Sequence, residues 1–185
     1  MIVIVNYNLG NIRSVENAFK KVGADISVSS NPEDIEAASG LVVPGVGAFK
    51  KASANLKELK IYDPIIKFIK NKKPYLGICL GFQLLFTESL EHGKNPGFDI
   101  FRGKVKRIKD KIKIPHMGWN SVYYSKDTPM FDNIPEGSYF YFDHSYYVDS
   151  PEEDIVSGRT AYGDEFISAL YRENIWGTQF HPEKS

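Results

Sequence analysis

Three residues have the side chains and spacing for nucleophilic catalysis: Cys79, His181 and Glu183. Cys79 is the only cysteine among 185 residues. It lies in Gly77-Ile78-Cys79-Leu80-Gly81, a G-x-C-x-G pattern, where an apolar run from Pro74 passes into a helix-like pattern. With serine at the centre, this is the spacing of a nucleophile elbow. A strand turning sharply into a helix strains its central residue, and small neighbours let the backbone close around it. The side chain then stands at the carboxyl edge of a sheet, where α/β sites lie. The helix N-terminus just beyond favours thiolate, and the N–H of Leu80 points to where an oxyanion would form. The same pattern also suits a small buried hydrophobe packed between two glycines.

A thiolate nucleophile needs a proton shuttle, and the shuttle needs an orienting partner. The four histidines are His92, His116, His144 and His181. His181 follows an apolar run in WGTQFHPEKS, with Glu183 two residues on. In an extended segment, side chains i and i+2 share a face, and Pro182 would hold the backbone extended. The Glu183 carboxylate would then fix the tautomer of His181. A polar turn at a strand end gives the same tripeptide. His92 and His116 have no ligand spacing with cysteine or histidine, so neither a metal site nor a cofactor is expected. Pro44–Gly47, PGVG, lacks the lysine and longer glycine pattern of a P-loop.

These residues need elements to hold them at one edge. Ile2–Val5 is short, apolar and β-branched, which suits a strand buried on both faces. Ile12, Val15, Phe19 and Val22 recur at helical spacing before Gly23. Strands are expected at 25–29, 41–43 and 74–79. A helix is expected in YDPIIKFIKN, capped by Asp63 with Pro64 at its first position, and a second helix over 80–89. Alternating strands and helices at these intervals predict a doubly wound α/β sheet. Beyond residue 100 the pattern predicts strands at 105–108, 122–124, 139–147, 167–171 and 175–180, joined by short turns and paired antiparallel. The expected fold is one α/β domain whose central sheet is mixed and mostly parallel, flanked by helices.

Lysine plus arginine and aspartate plus glutamate both number 23, a formal net charge of zero. That gives no general attraction for nucleic acid or membrane. The sequence carries no basic leader and no apolar run near the ~18 residues of a membrane span. With a single thiol, these features lead us to expect a cytoplasmic protein.

PGVG after a strand, GICLGFQLLF at an elbow and HPEKS near the end resemble the class I, triad-type glutamine amidotransferases, which have a flavodoxin-like fold. IPHMGWN at 114–120, YFDHSYY at 141–147 and the early LGN are similar to the glutaminase subunits of imidazole glycerol phosphate synthase. The resemblance spans essentially the whole chain, 1–185. It implies Cys79 as nucleophile on the glutamine carboxamide, His181 as base and acid, and Glu183 as orienter. It implies an oxyanion hole from Val46, Gly47 and Leu80. Gln83, Glu91, Ser145 and Tyr146 would lie at the substrate glutamine. Asn11, Met117 and Trp119 would face a partner, a (β/α)8-barrel cyclase that receives the ammonia in a heterodimer and makes imidazole glycerol phosphate for histidine. Asn6, Asn8 and Asp143 depart from the family pattern on what would be the partner-facing side. They leave room for a paralogue supplying ammonia to amidinate a surface sugar. Family members usually continue past HPEKS into a closing helix, whereas this sequence stops at Ser185.

Overall fold

Four-residue apolar runs make the centre of the sheet because such strands can be covered on both faces. The computed structural model describes residues 1–109, 112–124 and 128–185. The first half comprises β1 (Ile2–Val5), α1 (Ile12–Lys21), β2 (Ile26–Ser29), α2 (Pro32–Ala37), β3 (Gly40–Val43), α3 (Phe49–Glu58), α4 (Tyr62–Lys70), β4 (Tyr75–Ile78) and the single turn α5 (Leu80–Gln83). The second half is mainly strand: β5 (Phe86–Ser89), β6 (Asn95–Pro96), β7 (Phe101–Arg107), β8 (His116–Ser121), β9 (Tyr123–Tyr124), β10 (Tyr139–His144), β11 (Tyr146–Asp149), β12 (Val156–Tyr162), β13 (Asp164–Arg172) and β14 (Ile175–Thr178).

The central block runs β2-β1-β3-β4-β14, every neighbour parallel. The sheet continues through β13, β11, β7, β5 and β6, where antiparallel pairs dominate and β5–β7 is parallel. A separate antiparallel ribbon joins β8 to β10.

Alternation along the strands sorts the core. Val3, Val5, Leu41, Val43 and Tyr75 pack with Ile35 of α2, Leu56 of α3 and Ile65 of α4. Ile4, Val42 and Ile78 face the other way, toward Val15 and Phe19 of α1. Each such side chain, fully buried, stabilises the fold by roughly 1.5–3 kcal/mol. On the α1 side, Ile2, Phe19, Val42, Leu76, Trp176 and Phe180 line an open apolar groove.

Three expectations are corrected. The helix of 62–70 begins at Tyr62, because the Ile65 N–H already bonds to the Ile61 carbonyl at 3.1 Å. Asp63 and Pro64 therefore sit inside its first turn. The helix expected over 80–89 stops at Gln83, and 86–89 become β5, paired with β7. There Phe86 packs between Phe82 and Phe101, at ring separations of 5.6 and 6.0 Å, and that burial outweighs helical continuity. The strand expected over 139–147 breaks at Ser145, whose carbonyl accepts the Ile108 N–H at 2.9 Å. Its halves, β10 and β11, serve different sheets.

Candidate active site

The carboxyl ends of β3, β4 and β14 converge, and each hands one group to the site. After β4, Cys79 has φ 53° and ψ −101°, a strained geometry for a residue with a side chain. Its neighbours show why the elbow needs glycine. A Cβ on Gly77 would lie 2.6 Å from the Gly81 carbonyl oxygen, and one on Gly81 only 1.7 Å from that of Val43. The Cys79 N–H is pinned to the Thr178 carbonyl at 2.7 Å. The thiol is buried, with Sγ 3.9 Å from the Asp143 carbonyl oxygen and 3.6 Å from Gln179 Nε2.

After β14, His181 is buried and its Nδ1 meets Glu183 Oε1 at 2.8 Å. The route to that contact differs from the one expected: Pro182–Lys184 form a 3-10 turn rather than an extended segment. His181 Nε2 has no hydrogen-bond partner, and Cys79 is a neighbour that acts on the ring. Burial pushes the imidazole pKa down, but neighbouring Cys79 and the hydrogen-bonded Glu183 outweigh it and carry the pKa up to about 10. The arrangement favours the protonated imidazole.

A cavity of ≈ 390 Å³ opens beside the thiol. Its wall contains Cys79, Leu80, Val46, Gly47, Gln83, Glu91, Ser145 and Tyr146, the residues expected from the sequence, together with Ala48, Pro115, Asp143 and His144. His181 and Glu183 are not on that wall. Gly47 holds φ 102°, so the loop after β3 needs glycine there. The Leu80 N–H donates to the Gly45 carbonyl at 3.2 Å, so this candidate oxyanion donor is engaged in the structure. Gln83 Nε2 donates to the Tyr146 carbonyl at 2.9 Å and to Gln179 Oε1 at 3.0 Å. Glu91 Oε2 accepts the Phe49 N–H at 2.6 Å and so caps α3, whose N-cap Ala48 has no side chain to do it.

Two placements depart from expectation. Asp143 does not merely flank the partner side, since its carbonyl reaches the thiol. Gln179, fully buried and tied to both Sγ and Gln83, escaped the sequence reading. Its signal was its position two residues before His181, on the same face of an extended segment. The partner-facing candidates do not adjoin the thiol. Met117 and Trp119 are 60% and 57% exposed on β8. Asn11 caps α1, its Oδ1 accepting the Ser14 N–H at 3.2 Å.

The family described as "Glutamine amidotransferase class-I" matches residues 3–185. The chain belongs to that family. Its curated relatives include the imidazole glycerol phosphate synthase subunits HisH of Desulfitobacterium hafniense, 46% identical over all of this chain and 88% of that one, and of Methanothermobacter thermautotrophicus, 48% identical over all of this chain and 91% of that one. The HisH of Methanocaldococcus jannaschii is 47% identical, with 92% of its length covered. Among solved structures, a glutamine amidotransferase superposes with a TM-score of 0.79 at 19% identity, covering 99% of this chain and 91% of that one. The structure of PurLQS from Thermotoga maritima gives 0.76 at 19% identity, covering 98% and 87%. At such low identity these two bear on the fold, and they agree with the expected class I amidotransferase architecture.

Proposed function

We propose that this chain is the glutaminase subunit of imidazole glycerol phosphate synthase, using Cys79, His181 and Glu183 to hydrolyse glutamine and passing the ammonia to a (β/α)8-barrel cyclase subunit. The observation that carries the reading is a strained, buried thiol beside a His–Glu pair, with a cavity at its Sγ. The relatives at 46–48% identity over all of this chain are named imidazole glycerol phosphate synthase subunits, which favours this client over sugar amidination.

Glutamine binds with its carboxamide over Cys79. The thiolate adds to the carbonyl carbon, and N–H groups of Leu80 and of the Val46–Gly47 loop hold the resulting oxyanion. His181, protonated at Nε2, gives its proton to the departing ammonia and then takes one from water attacking the thioester. Glu183 keeps Nδ1 protonated throughout. The cavity wall at Glu91 supplies a carboxylate for the α-ammonium of glutamine, and Ser145, Tyr146 and Gln83 frame its other end. Met117, Trp119 and Asn11 dock the cyclase.

Cys79→Ala is expected to abolish glutamine hydrolysis, while the assembled enzyme still uses added ammonia. A glutamine-like electrophile should label one peptide, that of Cys79, in mass spectra of the unaltered chain. Residual glutaminase near the unaltered rate in Cys79→Ala would refute the assignment.

A further inference from the structure

Tyr7 is a buried group near the reacting thiol to which this mechanism gives no task. It follows β1 at the same edge of the sheet and is fully buried in the main core. Its backbone is held by Asn55 Nδ2, which donates to its carbonyl at 2.8 Å. Its hydroxyl oxygen has no hydrogen-bond partner. A buried hydroxyl without a partner is expensive and calls for an explanation.

The position of the hydroxyl supplies one. A Cβ on Gly45 would lie 1.9 Å from Tyr7 Oη and 3.0 Å from Leu80 Cβ. The phenol therefore rests on the Cα of the residue whose carbonyl occupies the Leu80 N–H. From another side, a Cβ on Gly10 would lie 3.1 Å from the Gly45 Cα. Gly45 is wedged among three neighbours and free of a side chain of its own. Burial, with the charge of Cys79 adding to it, raises the Tyr7 pKa, so the phenol keeps its proton and remains a donor. The oxyanion hole thus holds one N–H that is engaged, one carbonyl that engages it, and one unpaired donor against the same glycine.

We propose that Tyr7 is a positioning residue that opens the oxyanion hole: its hydroxyl takes the Gly45 carbonyl from the Leu80 N–H and frees that N–H for the substrate oxygen. The inference rests on Cys79 as nucleophile and Leu80 as oxyanion donor. In the exchange, the Leu80–Gly45 hydrogen bond breaks and a Tyr7–Gly45 hydrogen bond forms. The carbonyl is never stranded, and the released N–H meets the developing negative charge. Without the hydroxyl, release of Leu80 would leave a buried carbonyl with no donor, at a cost that recurs in every turnover.

The test is Tyr7→Phe in the chain assembled with its cyclase subunit, with Cys79→Ala assayed alongside. Phenylalanine keeps the ring and removes an oxygen that bonds to nothing in this state, so the thermal midpoint should hold or rise. The kcat for glutamine should fall on the order of ten-fold or more, as expected for one unpaired buried carbonyl. KM should stay unchanged, because the effect is confined to the transition state. Ammonia-driven synthesis should also be unchanged. A purely packing role would move none of these, so an unaltered kcat with Cys79→Ala inactive overturns the exchange alone. A raised KM at unaltered kcat overturns it too. Glutamine hydrolysis by Cys79→Ala would instead bring down the nucleophile assignment beneath it.

Discussion

His181 holds a charge that its burial alone would forbid. The opposing pull comes from Cys79 on one side and Glu183 on the other, and the balance puts its pKa near 10. A histidine raised on folding stabilises the fold fully below its ordinary value of about 6.5, and loses that contribution as pH climbs through its folded value. The sign gives a prediction. In Cys79→Ala one of the two groups that raise the His181 pKa is gone, so the ring should titrate at lower pH, read by NMR of its ring protons. The stability advantage of the unaltered chain over Cys79→Ala should shrink as pH rises from about 6.5 to 10. A gap that stays constant over that interval would mean no thiolate–imidazolium pair. At this scale the sequence was most informative. A solitary cysteine between glycines and a histidine two residues from a glutamate are each ordinary alone, but together they point to one chemistry. Gln179 carried only its spacing of two residues before His181 as a signal, and the fold then brings its amide to Sγ.

The ribbon of β8 and β10 shows what an element adds. Its register pairs His116 with His144, Gly118 with Phe142 and Asn120 with Phe140 on one face. Met117 with Asp143 and Trp119 with Tyr141 fall on the other. On the first face the hydrogen bonds have a fixed direction. The Tyr146 carbonyl can only accept, so His144 Nδ1, at 2.8 Å, carries the proton. His144 Nε2 then accepts from His116 Nδ1 at 3.0 Å, and His116 Nε2 accepts from Asn120 Nδ2 at 3.3 Å. Both rings are neutral, and either one protonated would set N–H against N–H. Burial drives His116 down to about 4 and, as the largest cause, His144 down to about 3. The unfolded chain binds these protons near pH 6.5 and the folded chain does not, so stability should fall as pH drops from about 6.5 toward 4. The His181 contribution is already complete in that window, so the two effects separate. Urea unfolding of His116→Gln should show a shallower fall than the unaltered chain; an equally steep fall would remove the pair from the account. None of this was legible in the sequence, where His116 and His144 are 28 residues apart. The same holds for β5 and for the break at Ser145. Periodicity reports the face a segment buries, whereas tertiary pairing decided which strand took up 86–89 and 146–149. The short buried strands of the parallel block were readable because four apolar residues in a row admit few other fates.

Over the whole molecule, the second face of that ribbon is the surface we propose for the partner, and its strand β10 borders the thiol. Met117 and Trp119 are more than half exposed, Tyr139 is 67% exposed, and the Trp119 ring meets Tyr141 edge-on at 6.1 Å. Exposed methionine and aromatic side chains gathered on one face have the composition of an interface core. Asp143 lies directly across from Met117, and its carbonyl is 3.9 Å from the Cys79 sulfur. A subunit docked on Met117 and Trp119 would therefore be separated from the thiol by the thickness of one ribbon. With a formal net charge of zero, long-range steering has little to offer, so apolar anchors should carry the affinity. Losing two anchors of this kind costs on the order of 2 kcal/mol or more, which is roughly thirty-fold in Kd. Titration of Met117→Ala/Trp119→Ala with the cyclase subunit should give at least that loss. The thermal midpoint of the isolated variant should hold, because neither side chain belongs to a buried cluster. Asn11 would give a less clear test, since removing it also uncaps α1. An unchanged Kd in the double variant would move the docking surface off the ribbon and separate association from the strand that borders the thiol.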